Sequence, residues 1–181
     1  MQSLNVFPVA LRMMETGGDY QCVNTLNFLG AYQFGEAALL DLGYVGQDSD
    51  PYDNDYSGGW KVKNGIDSAK EFLASTSVQD LAAEAWVTLM SHCIEDQHLD
   101  SHVWKMVGVV ELSPSGMLAA SHLMGTYSLQ AFIESDGKVD PRDPCGMPVS
   151  SVMIRMATVE KSYGPKPTAT KTAPTRLDLF N

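Results

Sequence analysis

The chain has 181 residues, a hydrophobic content of 44% and a formal net charge of −10, enough for a sizeable core in one domain. The acidic balance argues against non-specific nucleic-acid binding, which draws on Lys and Arg contacts to phosphate, and any anionic ligand must be held by local contacts. Cys22, Cys93 and Cys145 are widely spaced and form neither a disulfide framework nor a zinc signature.

The first residues, MQSLNVFPVALRMMET, lack a basic n-region, and Pro8 breaks their apolar stretch, so no secretory signal is expected. No apolar run approaches the ~20 residues that span a bilayer. Val6, Val9, Ala10, Met13 and Met14 recur at helical spacing and predict a first helix ending near Glu15, stopped by Gly17 and Gly18. Residues 19–30 read as loop. AYQFGEAALLDLGY predicts a second helix with Phe34, Ala37, Ala38 and Leu42 on its apolar side and Gly43 just past its end.

Residues 46–59, GQDSDPYDNDYSGG, form a long acidic loop. A short helix begins near Asp67 or Ser68. The longest pattern carries a stripe of Val78, Leu81, Ala82, Ala85, Trp86, Leu89, Met90, Cys93 and Ile94, with Ser77 as its N-cap and Asp80 as a capping partner. VWKMVGVVEL fits a helix and turn or a short strand. SPSGMLAASHLMG starts a helix with Ser113 as N-cap and Pro114 at N1, and Gly125 ends it. TYSLQAFIES continues as a helix, and VSSVMIRMATVE is a last one, with Val149, Val152, Met153 and Met156 on one side. The expectation is an all-α domain over residues 1–160 and a Pro/Thr/Lys-rich disordered tail over 161–181.

Glu15 at a helix end, a loop with Tyr20, Asn24 and Asn27, and then GAYQF at residues 30–34 resemble the lysozyme-like superfamily, closest to its goose-type lysozyme and lytic transglycosylase branch. Glu15-Thr16 stands for the branch's catalytic Glu-Ser, and Gly30-Ala31-Tyr32-Gln33 for its Gly-Leu-Met-Gln segment. The Glu, Gly and Gln are kept; Thr16, Ala31 and Tyr32 depart. GGWKVKNGIDSAKEFL and ELSPSGMLAASHLMGTYSLQAFIESDG resemble a subgroup found in phage-tail proteins and toxins delivered between bacteria. The resemblance covers residues 5–157.

It implies a helical fold with a cleft and a muramidase that cleaves the MurNAc–GlcNAc β-1,4 bond of peptidoglycan. Glu15 would be the general acid/base, with its carboxyl pKa raised by partial burial. Tyr20, Tyr32, Gln33, Phe34, Glu111, Ser115 and His122 are the expected substrate contacts. Tyr20 or Tyr32 would stack on a pyranose face. Ser115 could equally sit in a first helical turn, and His122 could be a packed, hydrogen-bonded histidine. Asp19, Glu36 and Glu111 are candidates for a second carboxylate, and lytic transglycosylase chemistry, which needs none, is the alternative. A Cys22/His amidase and a non-catalytic phage-tail or cell-wall-binding module are the readings of other classes. The subgroup implies synthesis in the cytoplasm, dedicated export to the periplasm or cell wall of a target cell, and a cognate immunity protein. No membrane insertion is expected.

No metal or cofactor is expected. Asp53, Asp55, Ser57 and Gly58 follow the D-x-D-x-[DNS]-G opening of a calcium loop, but Asn64 stands at the twelfth position, where a bidentate Glu belongs. A solvated acidic turn is preferred over a loose Ca²⁺ contact. His98 and His102 lack the Glu of a zinc-protease helix motif, so His92, His98 and His102 read as surface or capping residues.

Overall fold

The computed structural model describes residues 6–163. They are mainly helical: α1 (Val6–Thr16), α2 (Glu36–Asp41), α3 (Ala69–Ala74), α4 (Thr76–Asp96), α5 (Pro114–Met124), α6 (Thr126–Glu134) and α7 (Val149–Tyr163). A 3₁₀ turn spans Leu99–His102, and β1 (Met106–Val107) pairs antiparallel with β2 (Val110–Glu111). None of these helices is long and apolar enough to cross a membrane. The expected disordered tail lies, from residue 164, outside the described residues.

The described residues divide into two compact units, one of residues 6–10 with 87–163 and the other of residues 11–86. The dividing lines fall inside α1 and α4.

In the first unit, α5 packs on α6 and α7. Ser113 caps α5 by accepting from the Gly116 N–H at 3.1 Å, Pro114 follows it, and Gly125 ends the helix, all as the residues predict. Met117, Leu118, Ala119 and Ala120 of α5 are buried, as are Leu129 and Phe132 of α6. The predicted face of α7 is the buried one: Val149, Val152, Met153 and Met156 are at most 1% exposed. The ambiguous VWKMVGVVEL segment is a hairpin. Val107 pairs with Val110 across a two-residue loop in which Gly108 has a φ of +56°, the kind of loop that matches strand twist.

The second unit is built differently. Its helices α2 and α3 have six residues each, and long turns join them. Ser68 caps α3 through the Glu71 N–H. α2 ends as predicted: the Gly43 N–H donates to Leu40 O at 2.9 Å and the Tyr44 N–H to Leu39 O at 2.8 Å, the paired bonds of a Schellman motif. An aromatic series fills the interior, from Tyr32 to Phe34 (5.9 Å between ring centroids), Phe34 to Phe72 (6.2 Å), and Phe72 to both Tyr44 (5.7 Å) and Trp60 (5.8 Å).

Several expected elements shift. The second helix does not begin at Ala31: residues 30–34 curl into a turn closed by reciprocal Leu29–Phe34 backbone bonds of 2.9 Å, and the helix starts at Glu36. Gln33 at φ +50° and Gly30 at φ +74° leave the helical region. On α1 the buried face is Phe7, Ala10, Leu11 and Met14, one step round from the expected stripe. On α4 Leu81 is 53% exposed and Ala85 is exposed, whereas Gln79, Ala83, Val87 and Ser91 are buried. The helix begins at Thr76, and Ser75, not Ser77, receives the Val78 N–H. Asp80 is drawn to tyrosines elsewhere in its unit and caps nothing.

Candidate functional site

Glu15 lies in the last turn of α1 and is half-buried. Its neighbour Thr16 donates from Oγ1 to Ala31 O at 3.1 Å. The end of α1 is thereby fastened to the turn at residues 30–34, although fifteen positions separate the bonded residues. That turn is held from its other side by α4. Gln79 is fully buried, and its Oε1 accepts from the Ala31 N–H at 2.9 Å. Its Nε2 donates to Tyr20 O at 2.9 Å and Phe72 O at 3.0 Å. One amide thus bonds three backbone groups, of which Phe72 O also accepts from the Ser75 N–H.

Gly30 is what lets Gln79 in. A Cβ at that position would stand 2.1 Å from Gln79 Oε1, and the φ of +74° is itself costly for an L side chain. The glycine of GAYQ therefore makes room for the buried amide as well as turning the chain.

The next residue of α4, Asp80, gathers two phenols. Tyr20 donates to its Oδ1 at 2.7 Å and Tyr32 at 2.6 Å. Arg12 of α1 pairs with the same carboxylate at 3.6 Å and lies over the Tyr20 ring, 5.6 Å from its centroid. Burial first, then the hydrogen bond to Asp80 and that group's charge, pushes the Tyr32 phenol well above its ordinary pKa, so it stays a neutral donor.

These contacts sort the expected substrate residues. Tyr32 and Phe34 are 1% and 0% exposed. Neither ring offers a face to a sugar arriving from solvent, and both serve as core. Tyr20 and Gln33 are half-buried; Gln33 Nε2 donates to Gly30 O at 2.9 Å. Glu15, Tyr20, Tyr32, Gln33 and Phe34 share the unit of residues 11–86, whereas Glu111, Ser115 and His122 belong to the other. There Glu111 is exposed at the end of β2, Ser115 is buried (5%) in the first turn of α5, and His122 is half-buried in its last turn. Ser115 thus takes the helical-turn reading over the sugar-contacting one.

A second cluster forms around α2. Glu36, its first residue, is fully buried. Its backbone N–H donates to Asn54 Oδ1 at 2.8 Å, and its Oε2 accepts from the Tyr56 N–H at 2.7 Å. Its Oε1 has no hydrogen-bond partner. Ligand oxygens of Glu36, Asp53 and Asp55 all lie within 4.8 Å of one another, and Asp48 adjoins Glu36. Burial raises the Glu36 pKa to about 7; the Tyr56 N–H opposes the rise, and a hydrogen bond that protonated Glu36 shares with Asp48, which lowers the Asp48 pKa in turn, adds to it together with the charges of Asp48 and Asp55.

Sequence reading missed Gln79, the Asp80 clamp and the reach of the acidic loop to Glu36. Gln79 had one visible signal: it is a polar residue at a position whose neighbours at Ala82, Ala83 and Trp86 face the core. Comparison with family models, curated proteins and solved structures finds no match to this chain.

Proposed function

We propose that this chain cleaves the glycan strands of peptidoglycan at the MurNAc–GlcNAc β-1,4 bond, with Glu15 as general acid/base. The observation that carries the reading is the Thr16–Ala31 hydrogen bond. It brings together the two stretches on which the lysozyme-like resemblance rests, Glu15-Thr16 and Gly30 to Gln33. Glu15 itself is half-buried in the last turn of α1, beside that bond. Its proton would go to the leaving glycosidic oxygen as the oxocarbenium-like transition state develops. Gln33, with its Nε2 engaged by Gly30 O, keeps its Oε1 to accept from a sugar hydroxyl. Tyr32, Phe34 and Gln79 act behind them as support. The setting proposed with this activity follows the same resemblance: dedicated export, action on a target cell's wall, and an immunity protein in the producing cell.

The test is incubation of the purified chain with peptidoglycan and mass spectrometry of the soluble muropeptides. Wild type is expected to release them. Glu15→Gln, with unchanged circular dichroism, should release them at least ~100-fold more slowly, the scale of a lost general acid. Equal activity in the two proteins overturns the assignment. Reducing ends in the products identify a hydrolase, and 1,6-anhydro ends a lytic transglycosylase. Free stem peptides with intact glycan would replace both by an amidase.

A further inference from the structure

The acidic loop at residues 46–59 carries the first half of a calcium-loop pattern and lacks its closing Glu. The fold supplies a carboxylate from elsewhere. Glu36, seventeen positions before Asp53, projects from the start of α2 toward Asp53 and Asp55, and ligand oxygens of all three lie within 4.8 Å. We propose that Glu36, Asp53 and Asp55 bind a calcium ion, with Asp48 beside them.

Glu36 is the observation that separates this cluster from an ordinary solvated acidic turn. It is fully buried, and its Oε1 has no hydrogen-bond partner. A buried carboxyl with acidic neighbours must hold a proton, which Glu36 can share with Asp48, or a cation; a bound Ca²⁺ would take the place of that proton. Among the described residues no Lys or Arg pairs with Glu36, Asp48, Asp53 or Asp55. The chain also spends polar groups on holding the arrangement. Asn54 Oδ1 takes the Glu36 N–H, and the Tyr56 N–H takes Glu36 Oε2, which leaves Oε1 for a ligand. Asp53 and Asp55 each use one oxygen, Oδ1, on the N–H two residues ahead. The second oxygen of each has no donor among the described residues.

The donor chemistry selects the ion. All the groups are hard oxygen donors, and no His or Cys is among them, which disfavours zinc and copper. Two of the three carboxylates stand on an exposed loop, suited to the variable geometry of Ca²⁺ rather than the strict octahedron of Mg²⁺. Bonds of ~2.4 Å to one central ion span the observed separations. The consequence is structural. The Asn54 side chain also donates to Leu26 O at 2.9 Å, and the Tyr56 hydroxyl donates to Asn27 O at 2.9 Å. An ion at Glu36 would therefore fasten the acidic loop, the loop at residues 19–30 and the start of α2 as one piece. This inference stands independently of the peptidoglycan reading.

The experiment uses the full chain, stripped with EDTA and desalted, titrated with CaCl₂ by calorimetry and followed in parallel by thermal unfolding. One Ca²⁺ should bind with a Kd between about 10 μM and 1 mM, the range of partly exposed oxygen sites, and raise the Tm. The double variant Asp53→Asn/Asp55→Asn alters only exposed carboxylates, so it should fold. It should weaken binding by about tenfold or more, since fewer ligand charges lower affinity, and lose the Tm shift. Asp67→Asn, an exposed acid outside the cluster, should leave both unchanged. Absence of heat and of a Tm shift at ~5 mM Ca²⁺, well above that range, overturns the proposal. So does unchanged binding in the double variant, or tighter binding of Mg²⁺ than of Ca²⁺.

Discussion

The two units of this chain solve the same problem in opposite ways. In the unit of residues 87–163 the helix contacts are apolar, Met117, Ala119 and Ala120 of α5 with Val152, Met153 and Met156 of α7, all at most 1% exposed, and buried polar groups such as Ser91 and Ser113 bond within their own helix. The unit of residues 11–86 has an aromatic interior, but its backbone path is set by buried or half-buried polar groups. Gln79 holds the turn at residues 30–34, Asp80 holds Tyr20 and Tyr32, and Asn54 holds α2 to the loops beside it. Apolar burial is non-directional and tolerates small adjustments. Hydrogen-bonded anchors fix particular atoms and do not. Every carboxylate proposed here to do chemistry or bind a metal lies in the polar-anchored unit, where atom positions are specified rather than approximate.

That contrast can be broken by substitutions of matched size. The largest stability effect is expected from Gln79→Met, which keeps volume but leaves the Ala31 N–H and the Tyr20 carbonyl without their partner and Phe72 O with the Ser75 N–H alone. A loss of about 4 kcal/mol in urea denaturation is expected from the unsatisfied groups left behind. A loss below about 1 kcal/mol would mean that packing, not polar anchoring, holds this unit. Met153→Ala tests the other unit by emptying a core position that is 1% exposed, and should cost about 3 kcal/mol.

Gly30→Ala should come next, at about 2 kcal/mol, from backbone strain and displacement of the Gln79 amide. It sharpens the contrast because the added methyl is apolar and still destabilises. Since it disturbs the turn fastened to Glu15-Thr16, it should also slow muropeptide release. Met156→Leu is the smallest change. A volume-conserving swap in the apolar unit should cost less than about 1.5 kcal/mol. If Met156→Leu proved as damaging as Gln79→Met, the two units would not differ in the way proposed.

Much of the first unit was legible from the residues because its signals are local. Ser113-Pro114, Gly125 and the stripe on α7 act within one helix, and each appears where predicted. The second unit was legible in places, in the stop of α1 near Glu15, in Gly43 closing α2 and in the start of α3 at Ser68. Its centre was misread where local propensity met a distant partner. AYQFGEAALL has helical periodicity, yet Ala31 gives its N–H to Gln79, 48 positions away, and the first five residues turn instead. Tyr32 and Phe34, expected as substrate contacts at the start of that helix, are directed into the core by the same turn. On α4, Leu81 is exposed while the less apolar Gln79 is buried, because bonding three backbone groups outweighs covering one leucine.

The amino-acid sequence by itself determined the mainly helical class, the helix stops and caps, and the apolar faces of the later helices, because those depend on residues within a turn or two of each other. It also placed Glu15 at a helix end and Asp53 and Asp55 two positions apart. Only the tertiary structure decided which residues complete those beginnings. Thr16 meets Ala31, Gly30 admits Gln79, and Glu36 stands where the calcium-loop pattern lacks its closing acid. Such partners lie far apart along the chain, and a hydrogen bond or a shared ion is set by distance in space, on which local spacing carries no information.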